Sequence, residues 1–366
     1  MNCVLFTDHP TQDGHKIVEI TLNAEQSLNA LTLEMIDLIQ PKLDSCKNDD
    51  AVAAIVINGS GEKAFCAGGD AVRLYHAMVD NSEPDFPVDF FTREYILDYT
   101  IHTYPKPIIG WGGGIVMGGG MGLLNGCSHR IVTETTMMAM PEVAIGLYPD
   151  VGGSWFLNKT PGRCGLFIGL TGSRINAADA LFLGLADRFL AQAQQVECVK
   201  ALTQATWQGD FHHVVNRVLR TLENDMQATQ KPIESVVRMH FDLIQQLTDH
   251  DTTQGIIAAL EALVTDDKWL QRAQKNAQKS SPLAMHMTYK QLQKTTHFSL
   301  KQIFESELAL SIQCCRQREF PEGVRALLVD KDNAPDWTFK TVNDVDPSRL
   351  NALFVSPWAT NPLASV

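Results

Sequence analysis

The chain has 366 residues, 45% apolar and 20% charged, with a formal net charge of −12. That is enough apolar material for two domains or one large one, and it excludes a general binder of nucleic acid or anionic membrane, which needs a basic surface. A polyanionic small molecule held by a few local Lys or Arg stays compatible with it. The eight cysteines, at 3, 46, 66, 127, 164, 198, 314 and 315, form no CxxC pair and no zinc-type spacing, which fits a reducing cytosol. The N-terminal MNCVLFTDHPTQDGHK is polar and too acidic for a signal or transit peptide. No apolar run reaches the ~18 residues of a membrane span, so a cytoplasmic protein without a membrane partner is expected.

Lys16–Leu22 (KIVEITL) alternates as a strand does. Leu31–Leu43 places Leu31, Met35, Ile36, Leu38 and Ile39 at helical spacing, and Val52–Ile57 (VAAIVI) reads as a buried strand. A Gly-rich turn, FCAGGD (65–70), then runs into a helix at Ala71–Met78. Pro107–Gly110 is a short strand, a second Gly-rich turn at 112–122 opens another helix, and Arg130–Thr133 is strand-like. This alternation predicts α/β layering. From Gln192 to His297 no strand is evident; helices are expected at Gln195–Trp207, Phe211–Asn224, Ile233–Leu247 and Thr253–Leu263. Ser281-Pro282 supplies an N-cap and N1 proline, and Ser299 with Gln302 a capping box. The expected division is 1–191, an α/β core, and 192–366, a helical region.

The chemistry concentrates in MPEVAIGLYPDVGG (140–153), where Glu142 and Asp150 stand in an otherwise uncharged, mostly apolar run. An isolated carboxylate among apolar neighbours is costly unless paired or protonated, and its pKa rises, which suits proton transfer or nucleophilic attack. Upstream lies MGGGMG (117–122), almost bare backbone. Each Gly turn ends a strand and opens a helix, so free N–H groups point outward at a positive helix end; two such groups converging make an oxyanion hole. Plainer readings exist. Glycines simply permit tight turns, Glu142 is a helix N-terminal charge after Pro141, Asp150 is a turn residue, and Glu94 in FFTREYIL is a solvated helix residue. His129, beside Ser128, reads as structural. Neither G-x-G-x-x-G nor G-x-x-x-x-G-K-[ST] occurs, nor a G-x-S-x-G elbow, which argues against a dinucleotide oxidoreductase and a serine hydrolase.

KAFCAGGD (63–70), MGGGMG (117–122) and MPEVAIGLYPDVGG (140–153) resemble the crotonase, or enoyl-CoA hydratase/isomerase, superfamily. SLNALTLEMI (27–36), FFTREY (90–95), LTGSRI (170–175) and EFPEGVRALLVDKDNAPDW (319–337) are similar to its 3-hydroxyisobutyryl-CoA hydrolase branch. The resemblance covers nearly the whole chain. It implies a spiral of repeated ββα units with a helical C-terminal region, and an acyl-CoA thioester as substrate. It places the oxyanion-hole donors on the N–H groups of Gly69 and Gly119, with Ala67, Gly68 and Gly118 lining the substrate. Glu142 matches the catalytic glutamate, Asp150 the second acid of the hydrolase branch, and Glu94 a substrate-contacting glutamate. It implies no metal or redox cofactor, and a trimer-based homo-oligomer is compatible with it.

Departures narrow the choice. A typical hydratase carries a second catalytic glutamate where Gly122 stands here, and tends to have glycine where Asp150 stands. Relatives often place Lys or Arg two residues after the Asp of the first turn for CoA phosphates; here that residue is Val72, so Arg73 and Lys63 are the candidates. Hydrolysis of 3-hydroxyisobutyryl-CoA, a step of valine breakdown, is therefore expected, with Glu142 either attacking the carbonyl or activating water. The alternatives are an enoyl-CoA hydratase or isomerase and a non-catalytic acyl-CoA-binding protein.

Overall fold

The computed structural model describes residues 2–80, 83–227 and 233–366. Its strands are β1 (Val4–Pro10), β2 (Lys16–Leu22), β3 (Val52–Gly59), β4 (Ala64–Cys66), β5 (Ile108–Gly112), β6 (Ile115–Met117), β7 (His129–Val132), β8 (Met137–Ala139), β9 (Ile175–Asn176) and β10 (Arg188–Phe189). One sheet has the order β1-β2-β3-β5-β7-β10, the other β4-β6-β8-β9. In the larger sheet β1 pairs antiparallel with β2, and the remaining neighbours are parallel. VAAIVI forms the interior strand β3 and is buried along its length, as parallel strands covered on both faces must be. β1 is an edge strand with mostly exposed side chains, so its sequence lacks the alternation that marks β2.

The expected repeat is present. β3 and β4, β5 and β6, β7 and β8 each send their first strand to the larger sheet and their second to the smaller one. A helical segment follows each second strand: α2 (Ala71–Asp80), α4 (Gly119–Gly126) and the 3₁₀ turn Glu142–Ile145. The remaining α-helices before β10 are α1 (Leu33–Lys47), N-capped by Thr32, α3 (Phe86–His102), α5 (Gly153–Leu157), α6 (Cys164–Thr171) and α7 (Ala177–Phe182). After β10 every element among the described residues is helical.

Two compact units result: Met1–Gly69, Leu97–Met138 and Ile175–Ser235 in the first, Asp70–Ile96, Ala139–Arg174 and Val236–Val366 in the second. They interleave along the chain and do not coincide with a division at 191/192. In the first unit, the helices Gln195–Gln204 and Phe211–Gln227 cover the larger sheet. Cys198, Leu202, Val214, Val215 and Leu219 pack there with Ile17, Ala54, Val56, Ile109, Trp111 and Ile131. The second unit is helical, with Thr253–Ala262, Lys268–Lys279, Pro282–Thr295 and Leu300–Cys315 as its long members after residue 250.

Local differences have local causes. The segment expected as Ile233–Leu247 forms two short helices, Val236–Met239 and Phe241–Leu247. Lys268–Lys279, capped by Asp267, is not evident in the sequence because its buried face is one leucine and two alanines, Leu270, Ala273 and Ala277. The Ser299 capping box forms as expected, with the Ser299 hydroxyl accepting from Gln302 N and the Gln302 side chain accepting from Ser299 N.

Candidate active site

In the first unit the SLNAL segment braces the first Gly turn. Leu28 and Asn29 both take positive φ, 54° and 56°, which Asn tolerates better than most residues. Asn29 is buried; its amide donates to the carbonyls of Ala64 and Ser60 at 2.9 and 3.0 Å, and its oxygen accepts from Ala24 N at 2.9 Å. Leu31 N donates to Gly68 O at 2.8 Å and Ala67 N to Leu28 O at 3.1 Å. The parallel pairing of β4 with β6 (Ala64 with Ile115, Cys66 with Val116) then sets the two Gly turns side by side. Gly118 caps α4 at φ 49°, ψ −121°, a region open to glycine alone in practice. At Gly120 an added Cβ would lie 2.2 Å from the Cys66 carbonyl oxygen, so α4 starts directly against the end of β4. The N–H groups of Gly69 and Gly119 donate to no other described residue. Two uncommitted backbone donors thus sit on adjoining turns, one of them at a helix start.

The phosphate candidates differ. Lys63 is exposed. Arg73 is engaged already: its guanidinium meets Glu83 Oε2 at 3.0 Å and lies 4.3 Å from the centre of the Phe86 ring. The Glu83 pair is exposed and therefore weak, so an incoming phosphate has little to displace.

In the second unit three carboxyl groups come together. Glu94, Glu142 and Asp150 are 2, 4 and 5% exposed. Burial raises Glu94 well above the ordinary carboxylate range, and the nearby Asp150 charge adds to it. Burial likewise raises Glu142, reinforced by Asp150 and, more weakly, by Glu94. Asp150 is pushed up to about 6 by burial, its hydrogen bond to Tyr95 acting the other way. The solvated reading of Glu94 is therefore corrected: α3 turns it inward, where it interacts with Asp150. Glu142 Oε2 has no hydrogen-bond partner among the described residues. That is a costly state for a buried oxygen, and it leaves the atom free to react.

The backbone around these acids is pinned. Glu142 is the first residue of its 3₁₀ turn, directly after Pro141, as the helix-start reading has it, yet it is buried instead of solvated. Ser281 N donates to Val143 O at 3.0 Å, and the Ser281 hydroxyl to Glu319 Oε2 at 2.6 Å. The EFPEGV motif is thus a brace for the Glu142 turn. Asp150 does occupy a turn, with Gly153 N donating to its carbonyl at 2.7 Å, and Val151 follows at φ 53°.

Four residues of this cluster escaped the sequence reading: Tyr95, Tyr148, Glu307 and Ser311, all fully buried. Glu307 accepts from Gly152 N at 2.7 Å and Ser154 N at 2.9 Å, clamping the turn that carries Asp150. Burial pushes its pKa up to about 8 against the pull of those bonds. Tyr95 bonds to Asp150 Oδ2 at 2.6 Å and to the Ser311 hydroxyl at 2.7 Å. Glu307 had a legible signal: it shares the face of Ile303, Phe304, Leu308 and Ser311 on the Leu300–Cys315 helix, a charge at an apolar position.

Residues 17–354 match the family model for enoyl-CoA hydratase/isomerase. A Danio rerio protein named 3-hydroxyisobutyryl-CoA hydrolase, mitochondrial, is 35% identical over 337 residues, which is 92% of this chain and 86% of that one. The solved structure of an enoyl-CoA hydratase from Rhodobacter sphaeroides 2.4.1 is 34% identical with a TM-score of 0.84, the match covering 97% of this chain and 98% of that one. A carnitinyl-CoA dehydratase from Mycobacterium thermoresistibile is 32% identical with a TM-score of 0.86, covering 99% and 98%. The fold seen here, with its strands paired off between two sheets and a helical segment after each pair, is the one these structures share. By model, sequence and structure, the chain belongs to the enoyl-CoA hydratase/isomerase, or crotonase, family, in the branch of the 3-hydroxyisobutyryl-CoA hydrolases.

Proposed function

We propose that this protein hydrolyses the thioester of 3-hydroxyisobutyryl-CoA, or of a closely similar 3-hydroxyacyl-CoA, to the free acid and CoA, a step of valine breakdown. The observation that carries the reading is the buried trio Glu94, Glu142 and Asp150, combined with the absence of any carboxylate at Gly122. In this reading the N–H groups of Gly69 and Gly119 stabilise the charge that grows on the thioester oxygen; loss of one such donor typically costs ~3 kcal/mol. Glu142, through its unpaired Oε2, either attacks the carbonyl carbon, releasing CoA thiolate and leaving a mixed anhydride that water then opens, or takes a proton from an attacking water. Asp150 holds the substrate hydroxyl or orients the water, and Glu94 adds a hydrogen bond to the hydroxyl. Ala67, Gly68 and Gly118 line the substrate, and Lys63 and Arg73 are the candidates for the CoA phosphates. No metal or cofactor takes part.

Hydration or isomerisation of an enoyl-CoA is the second reading, and the two solved relatives carry names of that kind. Against hydration stands Gly122, which is buried in α4 and offers no side chain to deliver a second proton. Incubation with 3-hydroxyisobutyryl-CoA and with crotonyl-CoA separates the readings. Thiol release from the first supports hydrolysis; loss of enoyl absorbance from the second, without thiol, supports hydration. Silence in both overturns the hydrolase and favours an isomerase or a binder.

The eight free cysteines fit a reducing compartment, and cytoplasmic residence is the reading we carry, although the Danio rerio relative is named mitochondrial. No helix among the described residues is long and apolar enough to cross a membrane. A trimer-based assembly is the expectation the family resemblance brings, and sedimentation of the purified protein tests it.

A further inference from the structure

Four oxygen–oxygen gaps run in line through the core of the second unit. Asp150 Oδ2 is 2.6 Å from Tyr95 Oη, which is 2.7 Å from Ser311 Oγ. Ser311 Oγ is 2.9 Å from Tyr148 Oη, which is 2.7 Å from the Glu307 carbonyl oxygen. Each gap has hydrogen-bond length. Tyr95, Tyr148 and Ser311 are 0% exposed, so solvent does not complete their bonding.

Counting hydrogens shows what the chain requires. Three hydroxyls bring three hydrogens to four gaps. The Glu307 carbonyl has none to give, so Tyr148 donates there. If Asp150 is a carboxylate, Tyr95 must donate to it. Ser311 then faces two oxygens whose hydrogens point away, with one hydrogen for both, and one gap is a bare oxygen–oxygen contact in a buried core. If Asp150 carries a proton, it donates to Tyr95, Tyr95 to Ser311, Ser311 to Tyr148 and Tyr148 to the carbonyl. Every gap then holds one hydrogen.

We propose that Asp150 rests as a carboxylic acid, its proton held by a directional chain of hydroxyls, and that Tyr95, Ser311 and Tyr148 are positioning residues that keep it there. The groups bearing on Asp150 are Glu94 and Tyr95 on α3, Glu142 and Tyr148 from its own stretch of chain, and Glu307, Cys314 and Cys315 on the Leu300–Cys315 helix. All are acidic or neutral, so beside a weaker hydrogen bond from its own backbone N–H, a negative charge on Asp150 is favoured by the Tyr95 bond. That bond favours the charge only while Tyr95 donates; when Asp150 donates instead, the effect reverses. A neutral Asp150 also lifts one of the two charges that oppose ionisation of Glu142, leaving Glu142 as the acid best placed to react as an anion.

The proposal rests on placing Asp150 in the thioester-cleaving site, but its readout is the titration of Asp150 itself. The test is infrared difference spectroscopy of the whole protein with carbon-13 in the aspartate carboxyls, wild type against Asp150→Asn, across pH. A carboxylic-acid C=O band at neutral pH that Asp150→Asn removes is the expected result. Ser311→Ala and Tyr148→Phe each abolish the surplus gap, leaving as many hydrogens as gaps with Asp150 ionised. The Asp150 midpoint is therefore expected to fall by about one pH unit in either variant. Hydroxyls that merely stabilise a carboxylate predict the opposite, a midpoint that rises. Absence of the band at neutral pH, or a midpoint unchanged or raised in the variants that fold, overturns the proposal. Failure of thiol release in the wild type would instead remove the hydrolase reading and leave the titration result standing.

Discussion

At the scale of single residues, the site is a set of carboxyl groups held where their charged forms are unstable. Glu142 combines burial, two neighbouring carboxyls and an oxygen without a partner. Glu142→Gln keeps shape and volume, so the fold should persist by circular dichroism while kcat falls by about three orders of magnitude, the range of lost covalent or acid–base catalysis. Activity near wild type would remove Glu142 from the mechanism. Asp150 makes a stability prediction with a definite sign. Its pKa rises on folding from 3.8 to about 6 with Tyr95 donating, and further when Asp150 itself donates into the hydroxyl chain. From 3.8 upward to the folded value the folded state therefore binds more protons than the unfolded one, and stability falls as pH rises through that window. By pH 7 the penalty reaches about 3–4 kcal/mol. Asp150→Asn should therefore stabilise the protein by about 3–4 kcal/mol in urea unfolding at pH 7, with the gain gone below about pH 4. Equal stabilities at pH 7 would contradict the burial argument. A gain in stability that accompanies a loss of turnover is the usual relation at functional sites.

At the scale of elements, short turns carry the acids and distant helices hold the turns. Glu307, on the Leu300–Cys315 helix, takes two backbone N–H groups of the turn after Asp150, beside Val151 at φ 53°. Glu307→Ala leaves both donors buried and unpaired, which should cost about 2–5 kcal/mol in denaturant unfolding and lower kcat as Asp150 loses its register. A loss under about 0.5 kcal/mol would mean the clamp is not structural. Legibility follows from the same geometry. Glu142 and Asp150 stand out because their own sequence neighbours are uncharged, and the Gly turns because their glycines are clustered. Glu94 does not, since Arg93 adjoins it and its burial depends on side chains far along the chain. Ser311 and Tyr148 are ordinary in sequence; only contacts spanning 163 to 216 positions join them to each other and to Tyr95. Glu307 was readable as a charge on an apolar helix face.

At the scale of the molecule, the α/β repeat is legible because β2 and β3 carry strong patterns and each Gly turn marks a strand end. The edge strand β1 and the Lys268–Lys279 helix are not legible, one for want of alternation and the other for want of large apolar residues. The helical half is not a separate layer: Gln195–Gln204 and Phe211–Gln227 close the larger sheet, while Leu300–Cys315 supplies the clamp and a link of the hydroxyl chain. Thioester cleavage by Glu142 is decided by the release of free thiol. Purified wild type and Glu142→Gln are incubated with 3-hydroxyisobutyryl-CoA, and free thiol is followed continuously. Rapid, stoichiometric thiol release by the wild type is expected, with the variant slower by about three orders of magnitude. No thiol from the wild type, or equal rates from the two proteins, would contradict it.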